Sequence, residues 1–270
     1  PSKPTPENYG ALANENSKHL DDVQLSVVLM ALGDKWPPAW KSAEAGKGIY
    51  TKSQIRSIIR GSRFDNLGHT PGQNLEKRYQ GILNALMLSI EAKLGQSRNR
   101  SMLKWTDCHA REMSNRRKPD GLLHIASPNT SKGWEHAVVV FELKSDKHKN
   151  NDPVLTGQLL WSFIDMAKEQ PRRFIVGISV SRDGDLYVNL CLPSRLYSAK
   201  VGSLPHSAGS EDSQIAAVRF LLLLYMQLPL DPGFLVGNPC GVYEPFKLSD
   251  VPDCRPLYGS DDISATVITI

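Results

Sequence analysis

The chain has 270 residues, of which 40% are hydrophobic and 22% are charged, with a formal net charge of +4 at pH 7. This composition is typical of a soluble globular protein with enough apolar residues for a sizeable core. It excludes a membrane-spanning protein, because the longest strongly apolar run, 220–226, is far too short to cross a bilayer. The mild positive charge permits nucleic-acid binding without arguing strongly for it.

The four cysteines, Cys108, Cys191, Cys240 and Cys254, lack the paired short spacing of a structural zinc site. Free thiols in a reducing compartment are therefore expected, with a Cys240–Cys254 disulfide as the alternative. The N-terminal residues contain no apolar signal region. The cysteine usage predicts an intracellular protein, nuclear or cytoplasmic, and a secreted effector is the alternative.

Along the chain, residues 1–20 are polar and are predicted to form an arm. Helices are predicted over 21–33, 52–60, 74–94, 152–168 and 211–228, and strands over 101–109, 120–125, 137–144, 174–180 and 186–192. This order predicts an α/β fold with a mixed sheet, hairpins and one crossover. We expect an arm and helical preface over 1–70, a core over 71–230, and an irregular tail or linker over 231–270.

The most informative segment is 137–144, an apolar β-branched and aromatic run that ends in Glu142-Leu143-Lys144. Such a run predicts a strand covered on both faces. Side chains two apart point to the same side of a strand, so Glu142 and Lys144 emerge together at its end. Pro119-Asp120 opens the preceding predicted strand. One Asp followed by Glu-x-Lys on the next strand is the arrangement of a metal-dependent phosphodiesterase.

Magnesium prefers hard oxygen ligands and retains several waters. Asp120 and Glu142 could each supply a carboxylate oxygen, and the backbone carbonyl of Leu143 could supply a third ligand. Mg²⁺ is therefore the expected ion, with Mn²⁺ as the alternative; it would lower the pKa of a bound water and stabilise charge on the phosphate. Lys144 could orient the nucleophile or stabilise the transition state as a point charge.

A further acid from the preceding helix would complete the set, and the candidates are Glu76 and Glu91. Glu76 is favoured because it lies near the start of that helix and beside its apolar face, three residues before Tyr79.

Pro119-Asp120 and Glu142-Leu143-Lys144, within the order helix, three strands, helix and strand, resemble the PD-(D/E)xK nuclease superfamily. The residues 116–120, Trp134 and 139–144 also resemble the region ahead of the kinase in the fungal-type protein kinase family and in Crinkler-type effectors. The resemblance covers roughly residues 70–230. It implies a restriction-endonuclease-like αβββαβ core.

By this resemblance, Asp120 and Glu142 bind the metal, Lys144 is the catalytic lysine and Glu76 is the helix acid. It further implies a kinase-like domain beyond Ile270, since the 270 residues contain no kinase phosphate loop or catalytic-loop pattern. Many relatives carry Gln-x-x-x-Tyr on the next helix. Here Gln158 is present but Ser162 stands at the tyrosine position. Gln158 either faces the site and contacts DNA or water, or lies on the solvent side of its helix.

Basic residues flank the predicted centre on both sides: Arg116, Arg117 and Lys118 precede it, and Lys147, His148 and Lys149 follow it. Such clusters attract phosphate backbones without sequence preference, although a charge run is more often a hydrated loop. DNA is the expected partner, with RNA as the alternative, and a homodimer is one open oligomeric state.

Three functions fit these patterns. The first is a Mg²⁺-dependent nuclease that hydrolyses DNA phosphodiester bonds. The second is a catalytically inactive copy of the fold that binds nucleic acid or regulates an attached kinase-like domain. The third is a structural α/β domain with a surface Glu–Lys pair.

Overall fold

The structure, a computed structural model, describes residues 17–19, 50–62, 75–95, 103–109, 113, 118–125, 134–143, 153–169, 172, 174–192, 195–205 and 207–227. The predicted helix 21–33 and the predicted tail 231–270 lie outside these residues. Within the described part of the chain, no helix is long and apolar enough to cross a membrane.

The described residues form four helices and seven strands in an α/β arrangement. The helices are α1 (Lys52–Gly61), α2 (Leu75–Gly95), α3 (Pro153–Glu169) and α4 (Glu211–Gln227). The strands are β1 (Ser17–His19), β2 (Leu103–Asp107), β3 (Gly121–Ile125), β4 (Ala137–Leu143), β5 (Ile175–Val180), β6 (Asp185–Leu192) and β7 (Arg195–Ser203). A 3₁₀ turn, Trp134–His136, leads into β4.

All seven strands belong to one mixed sheet with the order β1-β7-β6-β5-β4-β3-β2. β2, β3 and β4 form an antiparallel meander, and β5, β6 and β7 form a second one. β4 and β5 are parallel neighbours. Parallel neighbours need a crossover connection, and α3 provides it. The short β1 pairs in parallel with the outer side of β7.

Helices cover both faces of the sheet, which explains why β4 is buried along its whole length. One hydrophobic cluster contains α1, α2, α4 and one face of the strands, including Val139 and Phe141 of β4. A second cluster contains α3 and the opposite strand face, including Val140. We call these two faces of the sheet the α2 face and the α3 face.

Two strands differ from the sequence prediction. β7 was not predicted, and β1 lies within the residues expected to form an arm. The turn between β5 and β6 contains Gly184, which has a φ of +79°. Glycine adopts this conformation readily because it has no Cβ.

The helix α1 packs into the same core as the sheet, since Ile55 and Ile58 belong to the α2-face cluster. Thr51 and Gln54 form a capping box that satisfies backbone donors at its start. Two ion pairs join α1 to the first turn of α4: Lys52 Nζ lies 2.7 Å from Asp212 Oδ1, and Arg56 Nε lies 2.7 Å from Glu211 Oε1.

These ion pairs predict a pH-dependent contact between α1 and α4. The hydrogen bond from Arg56 lowers the pKa of Glu211 from its usual 4.5, and the hydrogen bond from Lys52 lowers that of Asp212 from 3.8. A carboxyl group whose pKa is lowered in the folded state stabilises the fold at pH values above its ordinary pKa. This stabilisation is lost as the pH falls through the lowered pKa of the folded state. Both pairs are exposed, so we expect a small, salt-sensitive effect.

Melting temperatures of the wild type and of the double variant Glu211→Gln/Asp212→Asn are measured from about pH 6 to about pH 3, where the lower limit lies below the usual carboxyl pKa values. The difference in melting temperature between the two proteins should close as the pH falls. A gap that stays constant over this range would show that the carboxylates contribute nothing through their charge.

Candidate active site

Three of the predicted site residues, Asp120, Glu142 and Leu143, lie at one end of the sheet, where β4 and β5 end and β3 begins. Asp120 directly precedes β3, and Glu142 and Leu143 are the last residues of β4. Glu142 pairs with Ser179 of β5, and Leu143 pairs with Val180. The carboxyl ends of parallel strands are a common location for binding sites in α/β proteins.

Backbone and side-chain hydrogen bonds join Asp120 to the end of β4. Its backbone N–H donates to the carbonyl of Phe141 at 3.1 Å. Its carboxylate oxygen Oδ2 accepts a hydrogen bond from the backbone N–H of Leu143 at 2.6 Å. A charge-assisted bond of this kind is short and orients the carboxylate. The Asp120 carboxylate is therefore held beside the residue that follows Glu142.

Glu142 is a buried carboxylate, with 8% of the residue exposed. Its neighbours in β4 alternate between the two hydrophobic clusters, and this alternation places Glu142 on the α3 face with Val140. Ser162 of α3 donates a long hydrogen bond of 3.4 Å from Oγ to Glu142 Oε1. Burying a carboxylate is costly unless cations or donors offset the lost hydration, so a cation at this position would stabilise the fold.

Asp120 and Glu142 both adjoin the last residue pair of the β3–β4 ladder. Gly121 pairs with Phe141, and Asp120 and Glu142 are the next residues outward along the two chain segments. Two carboxylates from neighbouring strands can share one divalent cation.

Gly121 allows the close packing beside Asp120. A Cβ built on Gly121 would lie 2.0 Å from Cη2 of Trp105, so the indole ring occupies the space that a side chain would need. Trp105 belongs to the α2-face cluster. The ring therefore covers the α2 side of β3 next to the candidate site.

Several predicted residues lie outside the described part of the chain: Lys144, Arg116, Arg117, Lys147 and Lys149. Lys118 is exposed, whereas the adjacent Pro119 is buried. Leu143 is described, and it contributes its backbone N–H to Asp120.

On α2, the structure places Gln80 in direct contact with the site. Gln80 Nε2 donates to the backbone carbonyl of Asp120 and to Asp107 Oδ1, both at 2.9 Å. Glu76 is partly buried in the first turn of α2, and it lies one turn before Gln80 on the same helix face. Gln80 was not predicted, although its spacing of four residues from Glu76 was a usable signal.

Glu91, the second helix candidate, is bound elsewhere. Its Oε1 accepts hydrogen bonds from the backbone N–H of Trp105 and from the hydroxyl of Tyr225. Burial raises the pKa of Tyr225, and the Glu91 carboxylate raises it further. Glu91 thus accepts a hydrogen bond from a backbone N–H of β2 and links this strand to α4 through Tyr225.

Gln158 lies on α3 one turn before Ser162, so both residues occupy the same helix face. Its Oε1 atom is buried and has no hydrogen-bond partner among the described residues. Ser162 contacts Glu142, so this face of α3 is turned towards the candidate site.

Elsewhere in the described residues, Cys108 and Cys191 are free thiols, as predicted. Burial raises the pKa of Cys191 to about 12, so its thiol is unreactive at neutral pH. Within the residues that the structure describes, no group of three or more His, Cys, Asp or Glu side chains is arranged to hold a metal ion. At this sheet end, the described ligand candidates are the carboxylates of Asp120 and Glu142 and the backbone carbonyl of Leu143.

Comparison with known proteins provides no relative: no family model, no curated protein and no solved structure matches the chain.

Proposed function

We propose that this chain is a Mg²⁺-dependent nuclease domain that hydrolyses DNA phosphodiester bonds. One observation carries the proposal: Asp120 and Glu142 adjoin the paired residues Gly121 and Phe141 at the same sheet end, and Leu143 N–H holds the Asp120 carboxylate there. Two carboxylates and a backbone carbonyl form a hard-oxygen donor set that suits Mg²⁺ and also Mn²⁺.

The order of elements supports a restriction-endonuclease-like core as the finer description of the fold. From α2 to β5 the described chain runs helix, three strands, helix, strand, with a 3₁₀ turn before β4. This is the αβββαβ order implied by the PD-(D/E)xK resemblance. The crossover through α3 brings the end of β5 beside Glu142, and α2 brings Gln80 to Asp120.

In the proposed mechanism, Asp120, Glu142 and the Leu143 carbonyl would hold the ion, and Glu76 would contribute from the first turn of α2. When bound, the ion supplies charge stabilisation for the phosphate and lowers the pKa of a water. Lys144 stabilises the transition state as a point charge. Ser162, hydrogen-bonded to Glu142, positions that carboxylate from α3.

The proposed substrate is recognised through its phosphate backbone. Lys118 is exposed directly before the buried Pro119 and the site residue Asp120, so an approaching phosphate meets a cation there. We propose that Arg116, Arg117, Lys147 and Lys149 extend this basic surface, that Gln158 contacts DNA or a bound water, and that RNA is the alternative substrate. We further propose an intracellular protein with a kinase-like domain following this one.

A second candidate is a catalytically inactive module that binds nucleic acid or regulates an attached kinase-like domain. Ser162 favours it, because serine stands where many related nucleases carry tyrosine and its hydroxyl is directed at Glu142.

Cleavage of supercoiled plasmid separates the two candidates. The wild type should cut it with Mg²⁺ or Mn²⁺ and not with EDTA, whereas Lys144→Ala and Asp120→Ala should not cut. Equal cutting by all three proteins would identify a contaminating nuclease and contradict the proposal. A wild type that binds DNA without cutting it would support the inactive module instead.

A further inference from the structure

A second polar cluster lies beside Asp120 and is centred on Asp107, at the end of β2. Asp107 Oδ1 accepts hydrogen bonds from Gln80 Nε2 at 2.9 Å, from His109 N at 3.3 Å and from His109 Nδ1 at 2.7 Å. These bonds hold His109 through both its backbone and its ring. The imidazole therefore has a fixed position relative to β2.

Two hydrogen bonds link this cluster to the candidate metal site. The backbone N–H of Cys108, which lies between Asp107 and His109, donates to the carbonyl of Asp120 at 3.0 Å. Gln80 Nε2 donates to that same carbonyl as well as to Asp107. Asp107 also pairs with Gly121, the residue after Asp120. His109 is thus carried by the backbone turn that contacts Asp120.

The hydrogen bond to Asp107 determines which ring nitrogen of His109 can react. A carboxylate accepts hydrogen bonds only, so Nδ1 carries the proton and Nε2 carries the lone pair. The His109 side chain is 58% exposed, whereas that of Asp107 is 27% exposed. A partly buried carboxylate that orients an exposed imidazole is the arrangement that activates histidine as a base.

We propose that His109 is the catalytic base of the hydrolysis and that Asp107 is its positioning residue; this inference rests on the proposed nuclease function. The oxygen of a water forms a bond to phosphorus while Nε2 of His109 takes the proton of that water. The bond from phosphorus to the leaving sugar oxygen breaks, and that oxygen takes a proton from solvent. His109 then returns its proton to solvent, so each cleavage consumes one water.

The test compares His109→Ala and Asp107→Asn with the wild type, each assayed with and without added imidazole. His109→Ala should lower kcat by about 10²-fold with little change in KM, the size of effect expected for a general base. Added imidazole should restore part of this loss. Asp107→Asn should also lower kcat, but imidazole should not rescue it, because His109 is still present. His136→Ala is the matched control, since His136 precedes β4 at the opposite end of the strand.

The outcomes separate this inference from the proposed function. A wild type that cuts and a His109→Ala variant that cuts equally fast would overturn the role of His109 and leave the nuclease proposal intact. A slow His109→Ala variant that imidazole does not rescue would also overturn it, because a base in solution can replace a missing catalytic base but cannot restore a lost structural contact. A wild type that cuts nothing with either metal would remove both proposals together.

Discussion

Replacing Asp120 with Asn is expected to lower kcat by at least about 10³-fold, or about 4 kcal/mol of transition-state stabilisation. Asn retains an oxygen that can accept the hydrogen bond from Leu143 N–H, which is 2.6 Å long in the wild type. The sheet end should therefore keep its shape while the negative charge that binds the ion is lost. The measurement is kcat on a labelled duplex at saturating Mg²⁺, with circular dichroism to verify the fold.

Asp183→Asn provides the matched control for this substitution. Asp183 is exposed in the turn between β5 and β6, close to the same end of the sheet, so its replacement removes one nearby charge without touching a proposed ligand. It should leave kcat unchanged. Equal losses in Asp120→Asn and Asp183→Asn would mean that general electrostatics, rather than metal binding, determine the rate.

Replacing Gly121 with Ala is expected to destabilise the fold by about 3 kcal/mol, at the upper end for overpacking in a core. The new Cβ would lie 2.0 Å from Cη2 of Trp105. The indole cannot easily move away, because its Nε1 donates to Asn84 Oδ1 at 2.9 Å and its ring meets Phe141 edge-on, with 5.0 Å between centroids. Urea unfolding measures the change in free energy of unfolding.

Gly61→Ala is the control for the glycine substitution itself, because nothing lies within 4 Å of a Cβ built at that position. It should change the free energy of unfolding by no more than about 0.5 kcal/mol. Combining Gly121→Ala with Trp105→Leu removes the ring that the new methyl would strike, so the two substitutions should be strongly non-additive. Additive effects would show that the indole is not the source of the strain.

The elements with the strongest patterns were predictable from sequence. The strand predicted over 137–144 was confirmed over its described residues as the buried strand β4, Ala137–Leu143, because a strand covered on both faces must be apolar throughout. The helix predicted over 152–168 was confirmed as α3, which begins at Pro153, a residue that suits the first helical position. The α/β class with a mixed sheet followed from the order of such elements.

β7 and β1 were missed for different physical reasons. In β7, Tyr197, Ala199 and Val201 are buried while Lys200 is exposed, so the period of two was visible but was interrupted by small and polar residues. β1 has only three residues, Ser-Lys-His, with no apolar pattern. Its pairing with β7 depends on backbone hydrogen bonds that any sequence can make, which no local signal reveals.

The carboxylates of the candidate site could be picked out from the sequence, whereas the residues that support them could not. Asp120 and Glu142 stand out because charge at the end of an apolar strand is unusual. Gln80, Asp107 and His109 have no such signal, since a polar residue near the end of a helix or strand is ordinary in sequence. Only the tertiary contact between α2 and the ends of β2 and β3 brings them together.

The central claim is that Asp120 and Glu142 share one divalent cation. Calorimetric titration with Mn²⁺ tests it most directly, using the wild type, Asp120→Asn, Glu142→Gln and Asp183→Asn. The account predicts one bound ion in the wild type and in Asp183→Asn, and a loss of affinity of at least about tenfold in each of the other two, since even an outer-shell partner contributes that much. Wild-type affinity in either Asp120→Asn or Glu142→Gln would contradict it.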